Sequence, residues 1–362
     1  VNTVTPRLFI AATEQNTGKT TTAIGLYHAL RSRYERIGFI KPVGQRFVEV
    51  EGHRVDEDSL LIRDTYGTQV PIEAMSPIAV EPNFTRRYIH GANHEALVRR
   101  IRHAFDRACW EKDFTLIEGT GHAGVGSVFD LSNAKVAGVL DAKVLLITPG
   151  GVGRPIDEAA LNMALFDKAG VEVIGVVMNK VLPQKMEEIA EVARKGFHRL
   201  GLELLGMVPH VEMLEFPTLE QIREALHAEV LYGEPRLSRH AGRVVIGAMS
   251  AAHASAQFSP ETLLVIPGDR ENILAEALRS ADRLAGVVLS DGLRPSGEVA
   301  ALMEGAGLPV ILSSRDCYRI ASCVHSMTVK ILPADHSKIS RIQEMIGCGL
   351  NVERILEKIG EV

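Results

Sequence analysis

Three consecutive residues, Gly18-Lys19-Thr20, carry the chemistry that the rest of this chain has to serve. An ammonium between a glycine and a hydroxyl suits a phosphate tail. Backbone N–H groups cradle the oxygens, Lys19 reaches the β- and γ-phosphates, and the Thr20 hydroxyl ligates Mg²⁺. The residues expected to meet the nucleotide are Thr13, Glu14, Asn16, Thr17, Gly18, Lys19, Thr20 and Thr21. The usual first glycine of such a loop, five positions before Gly18, is Thr13 here. A lysine-capped turn opening an ordinary helix is the competing reading. The flanking pattern argues against it, because an apolar run, Leu8–Ala12, enters the loop and a helical face, Ala23, Leu26, Tyr27 and Leu30, leaves it.

A bound triphosphate also needs carboxylates to hold its metal. Glu118 closes the apolar run Phe114–Ile117, at the carboxyl end of an expected strand, where open α/β sheets bind ligands. Gly119, Gly121, Gly124 and Gly126 follow it and let backbone approach a ligand closely. Asp56 and Asp58 precede a helix running to Tyr66, so they serve either the metal or the helix dipole. Lys41 ends Ile37–Ile40 ahead of Pro42, either as a surface lysine or as a cation that stabilises a transferring phosphoryl group. Asn179-Lys180 ends another run and is placed to read a base edge. Guanine-reading loops add an aspartate two residues after the lysine, and Leu182 stands there, so adenine is expected. His122 reads as a ligand, a proton carrier or a plain turn histidine.

The elements that must position these groups alternate along the chain. Strand-like runs at 8–12, 36–40, 114–117, 142–148, 172–178 and 202–208 are separated by helical stretches, one from Ile156 to Ala169 ending at Gly170. This pattern predicts a mostly parallel sheet with helices on both faces. A second series, at 244–249, 263–267, 286–289, 309–312 and 329–332, follows the turn-rich stretch Tyr232–Arg236. The expected domains are therefore 1–235 and a smaller α/β domain over 240–362. The tail, 337–361, reads as two amphipathic helices broken near Gly347-Cys348-Gly349.

The 362 residues allow two or three domains, and 46% hydrophobic content supports a sizeable core. A net charge of −5 without single-sign runs, and only 5% aromatic residues, give no nucleic-acid or membrane surface. No apolar stretch is long enough to span a bilayer, and no signal peptide is visible. Four cysteines, Cys109, Cys317, Cys323 and Cys348, show no paired metal-ligand spacing, so free thiols in the cytoplasm are expected.

Together these residues resemble dethiobiotin synthetase and its relatives in the cobyrinic acid diamide synthase group, which are P-loop NTPase-type folds. That family's phosphate loop has one extra residue, so Ala12 takes the place of its first glycine and Thr13 matches its threonine. Lys41-Pro42-Val43 matches its Lys-Pro-Val, whose lysine lies at the substrate and the γ-phosphate. Asp58 and Glu118-Gly119 fall on its metal-binding positions, making Thr20, Asp58 and Glu118 the implied Mg²⁺ ligands. Asn179 matches its adenine-contacting asparagine, and Val208-Pro209 the pair closing that pocket, so Pro209 is an implied ATP contact.

The second half resembles a DRTGG domain through Gly268-Asp269-Arg270 and Asp335-His336. Ser290-Asp291-Gly292 stands at the Thr-Gly-Gly element. The pair of modules resembles the N-terminal region of long bacterial phosphate acetyltransferases, whose catalytic domain is expected beyond this point; acetyl transfer is not expected from these residues. The stretch 119–127 departs from the family's Gly-Ala-Gly-Gly, and the lysine with which partition ATPases clamp a dimer is replaced by Thr13 and Glu14.

Two functions follow from the resemblance. One is a Mg·ATP-dependent ligase-type enzyme passing phosphate to a small carboxylate or carbamate, with Lys19 and Lys41 catalytic. The other is a nucleotide-sensing regulatory module acting on a partner protein. A homodimer is expected in either case. Asp269-Arg270 reads equally as a ligand contact or an ion pair.

Overall fold

The computed structural model describes residues 2–91 and 93–361 and divides into two compact units, 1–210 with 331–362, and 211–330. The first unit is built on a parallel sheet of six strands. In sheet order these are β10 (Leu204–Pro209), β9 (Val173–Val181), β8 (Lys143–Pro149), β1 (Arg7–Ala12), β7 (Phe114–His122) and β2 (Ile37–Ile40). The inner strands are apolar runs buried along almost their whole length, which requires cover on both faces. Helices Lys19–Leu30, His94–Ala108, Gly153–Lys168 and Met186–Arg199 supply it. Two small pairs sit beside the sheet: β3 (Val43–Gly44) with β6 (Ile78–Ala79), and the hairpin of β4 (Phe47–Val50) with β5 (His53–Asp56).

The phosphate-loop strand β1 lies in the middle of the sheet, between β7 and β8. Strands that follow one another across that position lie on opposite sides of β1, which opens a crevice at the carboxyl ends. Glu118 is not the strand's end, as the apolar run suggested. β7 continues to His122 through an irregular stretch, in which Ile10 and Ala12 of β1 oppose Glu118 and His122. Gly119 and Gly121 make that stretch possible. A Cβ on Gly119 would lie 2.7 Å from Phe9, and Gly121 has φ +65°.

The second unit carries β12 (Arg243–Ile246), β13 (Thr262–Pro267), β14 (Gly286–Ser290) and β15 (Val310–Leu312) in parallel, edged by antiparallel β11 (Glu229–Tyr232). Alternate residues feed two cores. Leu264, Ile266, Val287 and Leu289 pack on one face, and Leu263, Val265 and Val288 on the other.

The domain boundary expected at 235–240 is thus displaced. The Leu219–Leu226 helix buries Leu219 and Ile222 in the second unit's core, and β11 extends that unit's sheet. The run at 329–332 is not a strand, and the fifth strand of this sheet is β11.

The tail also changes allegiance. Helices His336–Gly349 and Val352–Ile359 belong to the first unit, with their break at Leu350-Asn351. Gly25 of the phosphate-loop helix abuts Ile346, and a Cβ there would lie 2.2 Å from the Ile346 Cβ. The Asn351 N–H donates to the Leu205 carbonyl at 2.9 Å, and Arg354 and Lys358 both pair with Glu203. All four cysteines are unpaired, and no described helix is long and apolar enough to cross a membrane.

Candidate functional site

Lys19 opens the helix that leaves the loop, and Gly18 before it adopts φ +101°. Only glycine fits there, because a Cβ would also lie 2.0 Å from the Asn179 Nδ2. The loop is held by its own hydroxyls: Thr17 Oγ1 donates to the Glu14 carbonyl at 2.9 Å, and Thr22 Oγ1 to the Gly18 carbonyl at 2.9 Å. Asn16 takes a left-handed conformation at the exposed tip, and Thr21 is half-buried in the first helical turn. The Glu14 carboxylate is turned aside to Arg154, 2.6 Å away, which also pairs with Glu158.

Around Lys19 and Thr20 the structure gathers the acidic residues expected from widely separated segments. Thr20 Oγ1 donates to Glu118 Oε1 at 2.8 Å. Lys41 Nζ lies 2.8 Å from Asp56 Oδ1, contacts Asp58 Oδ2, and stands 3.8 Å from Glu118 Oε1. Asp56 additionally caps the helix Glu57–Tyr66, its Oδ1 accepting from the Asp58 N–H at 3.0 Å. Asp56 thus serves the helix as its cap, and both Asp56 and Asp58 pair with Lys41.

Burial drives the electrostatics of this cluster. It lowers the Lys19 ammonium to about 8, against the opposing pull of Glu118. The Glu118 carboxyl, 1% exposed, is pushed up to about 8 by burial and then by the charge of Asp58. Burial acts against Lys41 as well, but the charges of Asp58, Glu118 and Asp56 outweigh it and hold the ammonium above its ordinary range. For Asp58 burial is again opposed by Lys41, and the carboxyl ends below the usual range. Asp56 ends above it, burial prevailing over Lys41.

Among the described residues, no group of three or more His, Cys, Asp or Glu side chains is arranged as a ready metal cage. The donor set at the loop nevertheless fits Mg²⁺, whose ligands are hard oxygens and whose remaining positions stay with water and phosphate. Glu118 Oε2 and Asp56 Oδ2 are buried without a hydrogen-bond partner, and a carboxyl raised by burial is one that a divalent cation would return to its ionised form.

Asn179 is drawn into the loop rather than left open to solvent. Its Nδ2 donates to the Thr17 carbonyl at 2.8 Å, its Oδ1 accepts from the Lys180 N–H at 2.9 Å, and it is 2% exposed. Pro209 ends β10 beside Val181, half-buried. Thr13, which follows β1, has a buried hydroxyl without a hydrogen-bond partner. His122 ends β7 at an exposed position and leads into the turn, its Nδ1 accepting from the Gly124 N–H at 3.2 Å. In the second unit Arg270 donates to the Met249 carbonyl at 3.1 Å rather than pairing with Asp269, which is exposed.

Two asparagines were not singled out in the sequence. Asn162 Oδ1 accepts from the Ala123 N–H at 2.8 Å, while its Nδ2 donates to the Thr13 carbonyl at 3.2 Å, tying the phosphate loop to the segment after Glu118. Asn133 holds the same segment through the Thr120 N–H and the Thr120 and His122 carbonyls. Asn162 had a signal: it interrupts the buried stripe Pro155, Ala159, Asn162, Phe166 of its helix.

Residues 6–218 match the AAA domain family AAA_26. The chain belongs to that family. The AAA domain is followed by a DRTGG domain, matched over residues 221–327. Phosphate acetyltransferase from Nitratidesulfovibrio vulgaris is 27% identical over 92% of this chain and 49% of its own length. The enzyme of the same name from Pseudomonas putida is 27% identical over 97% and 52%. The chain thus spans about half the length of the curated relatives it matches. Among solved structures, the MinC:MinD cell division protein complex of Aquifex aeolicus aligns over 58% of this chain and 83% of its own, at 16% identity and TM-score 0.37. The CBS and DRTGG domains of the regulatory region of Clostridium perfringens pyrophosphatase align over 34% and 58%, at 23% identity and TM-score 0.27.

Proposed function

We propose that the AAA domain binds Mg·ATP at residues 13–21 and uses its occupancy to control a partner activity, as a nucleotide-sensing module. The observation that carries the nucleotide reading is the 2.8 Å hydrogen bond from Thr20 to Glu118. It joins the phosphate-loop hydroxyl to a buried carboxylate from a different strand, beside a buried Lys19. Thr20, Asp58 and Glu118 would hold the metal, which supplies charge neutralisation on the phosphate oxygens. Lys19 binds and orients the tail, and Asn179 and Pro209 border the base. The sensing role is supported by Lys41, which is paired with carboxylates and 7% exposed, so it does not present a bare cation to a second substrate.

A second reading has its own support. Lys41 stands beside the same Glu118 oxygen that Thr20 contacts, where a cation would neutralise charge on a phosphoryl group passing to a small carboxylate or carbamate, the chemistry of dethiobiotin synthetase. Turnover separates the two. Tight ATP binding with hydrolysis slower than about one per hour favours sensing, since median enzymes run near ~10 per second. Thermal shifts with ATP and a panel of small acids complete the test, a shift requiring both ligands favouring ligase chemistry. Lys19→Ala addresses the shared premise: binding of ATP in Mg²⁺ should weaken by about 10- to 100-fold, the loss of one charge-assisted contact. Unchanged affinity removes both readings.

A further inference from the structure

The cluster at Lys41 gathers more carboxyl groups than a structural ion pair requires. Three carboxylates, Asp56, Asp58 and Glu118, converge on one ammonium, and two of their oxygens have no hydrogen-bond partner. Glu118 Oε1 is shared, accepting from Thr20 at 2.8 Å while lying 3.8 Å from Lys41 Nζ. Each of the three carboxyl groups thus turns one oxygen to the ammonium, while Asp56 Oδ2 and Glu118 Oε2 stay buried without a partner.

We propose that Lys41 is an internal counter-cation that keeps Mg²⁺ out of this acidic pocket until a triphosphate arrives, so that metal and nucleotide enter as a pair. The inference rests on the nucleotide-binding reading above. Two cations cannot share these oxygens without strong repulsion in a poorly hydrated site. For the metal to enter, the ammonium must swing away. Its backbone cannot follow, because the Lys41 N–H is bonded to the Met75 carbonyl at 2.8 Å and Pro42 comes next. Only the side chain moves, and a buried ammonium that leaves its carboxylates needs another anion at once. Mg²⁺ alone brings none. A triphosphate lying along Lys19 does, which makes the exchange favourable only when both ligands are present. By linkage the effect is reciprocal: each ligand tightens the other.

The test uses the full chain without nucleotide, so it reads the counter-cation independently of whether ATP binds. MgCl₂ is titrated into wild type and Lys41→Gln, with NaCl of equal ionic strength as the control, and binding is read by calorimetry and thermal shift. Wild type is expected to respond to MgCl₂ no more than to NaCl. Lys41→Gln, with its carboxylates uncovered, is expected to bind Mg²⁺ at least about tenfold more tightly than wild type. If the variant does not fold in NaCl, folding restored by MgCl₂ supports the proposal. Failure to fold in either salt, or equal Mg²⁺ responses in the two proteins, overturns it. Loss of ATP binding in Lys19→Ala does not bear on this outcome, so the two readings fail separately.

Discussion

The returning tail is tested most sharply by Gly25→Ala, because the structure predicts the sign of its effect against the local rule. Gly25 lies in the interior of the Lys19–Leu30 helix, where alanine ordinarily gains about 1 kcal/mol of helix propensity. Here the new methyl would lie 2.2, 2.5 and 2.6 Å from the Cβ, Cγ1 and Cγ2 of Ile346, the branched base of a fully buried side chain. No rotamer change removes the Cβ, so the two helices must part by more than an ångström. Overpacking of this kind costs about 1–3 kcal/mol, and the clash of two Cβ atoms lies at the upper end. The net expectation is a loss of about 1–2 kcal/mol, or roughly 2–8 °C in the melting of the first unit. Gly347 is the internal control. It sits in the tail helix with nothing within 4 Å of a built Cβ, so Gly347→Ala should stabilise by up to about 1 kcal/mol. Both variants are measured by calorimetry, with hydrogen exchange over 336–349 reporting the docked helix. A Gly25→Ala protein as stable as Gly347→Ala, or more so, would refute the placement of the tail against the phosphate-loop helix.

Gly18→Ala forces a left-handed residue and an overlap with Asn179, so ATP binding measured by calorimetry should fall at least about tenfold at a cost of ~1–3 kcal/mol. Glu118→Gln keeps an acceptor for Thr20 but removes a charge, so ATP affinity should lose most of its dependence on Mg²⁺ while the melting temperature changes little. Glu203 is held at about 2 by hydrogen bonds to Arg354 and then Lys358, well below its unfolded value. A depressed carboxyl stabilises above the unfolded value and loses that contribution as pH falls toward 2. Melting of the first unit should therefore drop more steeply from pH 5 to about 2.5 in wild type than in Glu203→Gln; parallel curves would contradict the pairing. Asn162→Leu should leave the second unit's melting unchanged and weaken ATP binding, because Thr13 and Ala123 lose their common tie at a cost of about 1–3 kcal/mol.

The phosphate loop and its flanking strand and helix were legible because local chemistry dictates them: an apolar run, a glycine that must take a positive φ, and a helical face. Lys41, Asp58 and Glu118 were legible by residue type, and Lys41 also by its place after a strand. What escaped was mostly long-range. β11 is held as a strand by its antiparallel pairing with β15, whereas 329–332 joins none of the described strands. The tail was read correctly as two helices and assigned to the wrong unit, since amphipathic periodicity states that a face will be buried and not against what. Glu118 was placed at a strand end because its following glycines read as a loop, although in the sheet they form an irregular continuation. Asn133 and Asn162 act through backbone groups distant in sequence, and amides carry no spacing that announces such partners.

The departure of the chain after His210 and its return at Ile331 have a practical consequence. The segment between them is a guest in a host built from the chain's first and last stretches together. Trimming from the carboxyl end therefore wounds the nucleotide-binding half before it frees the other.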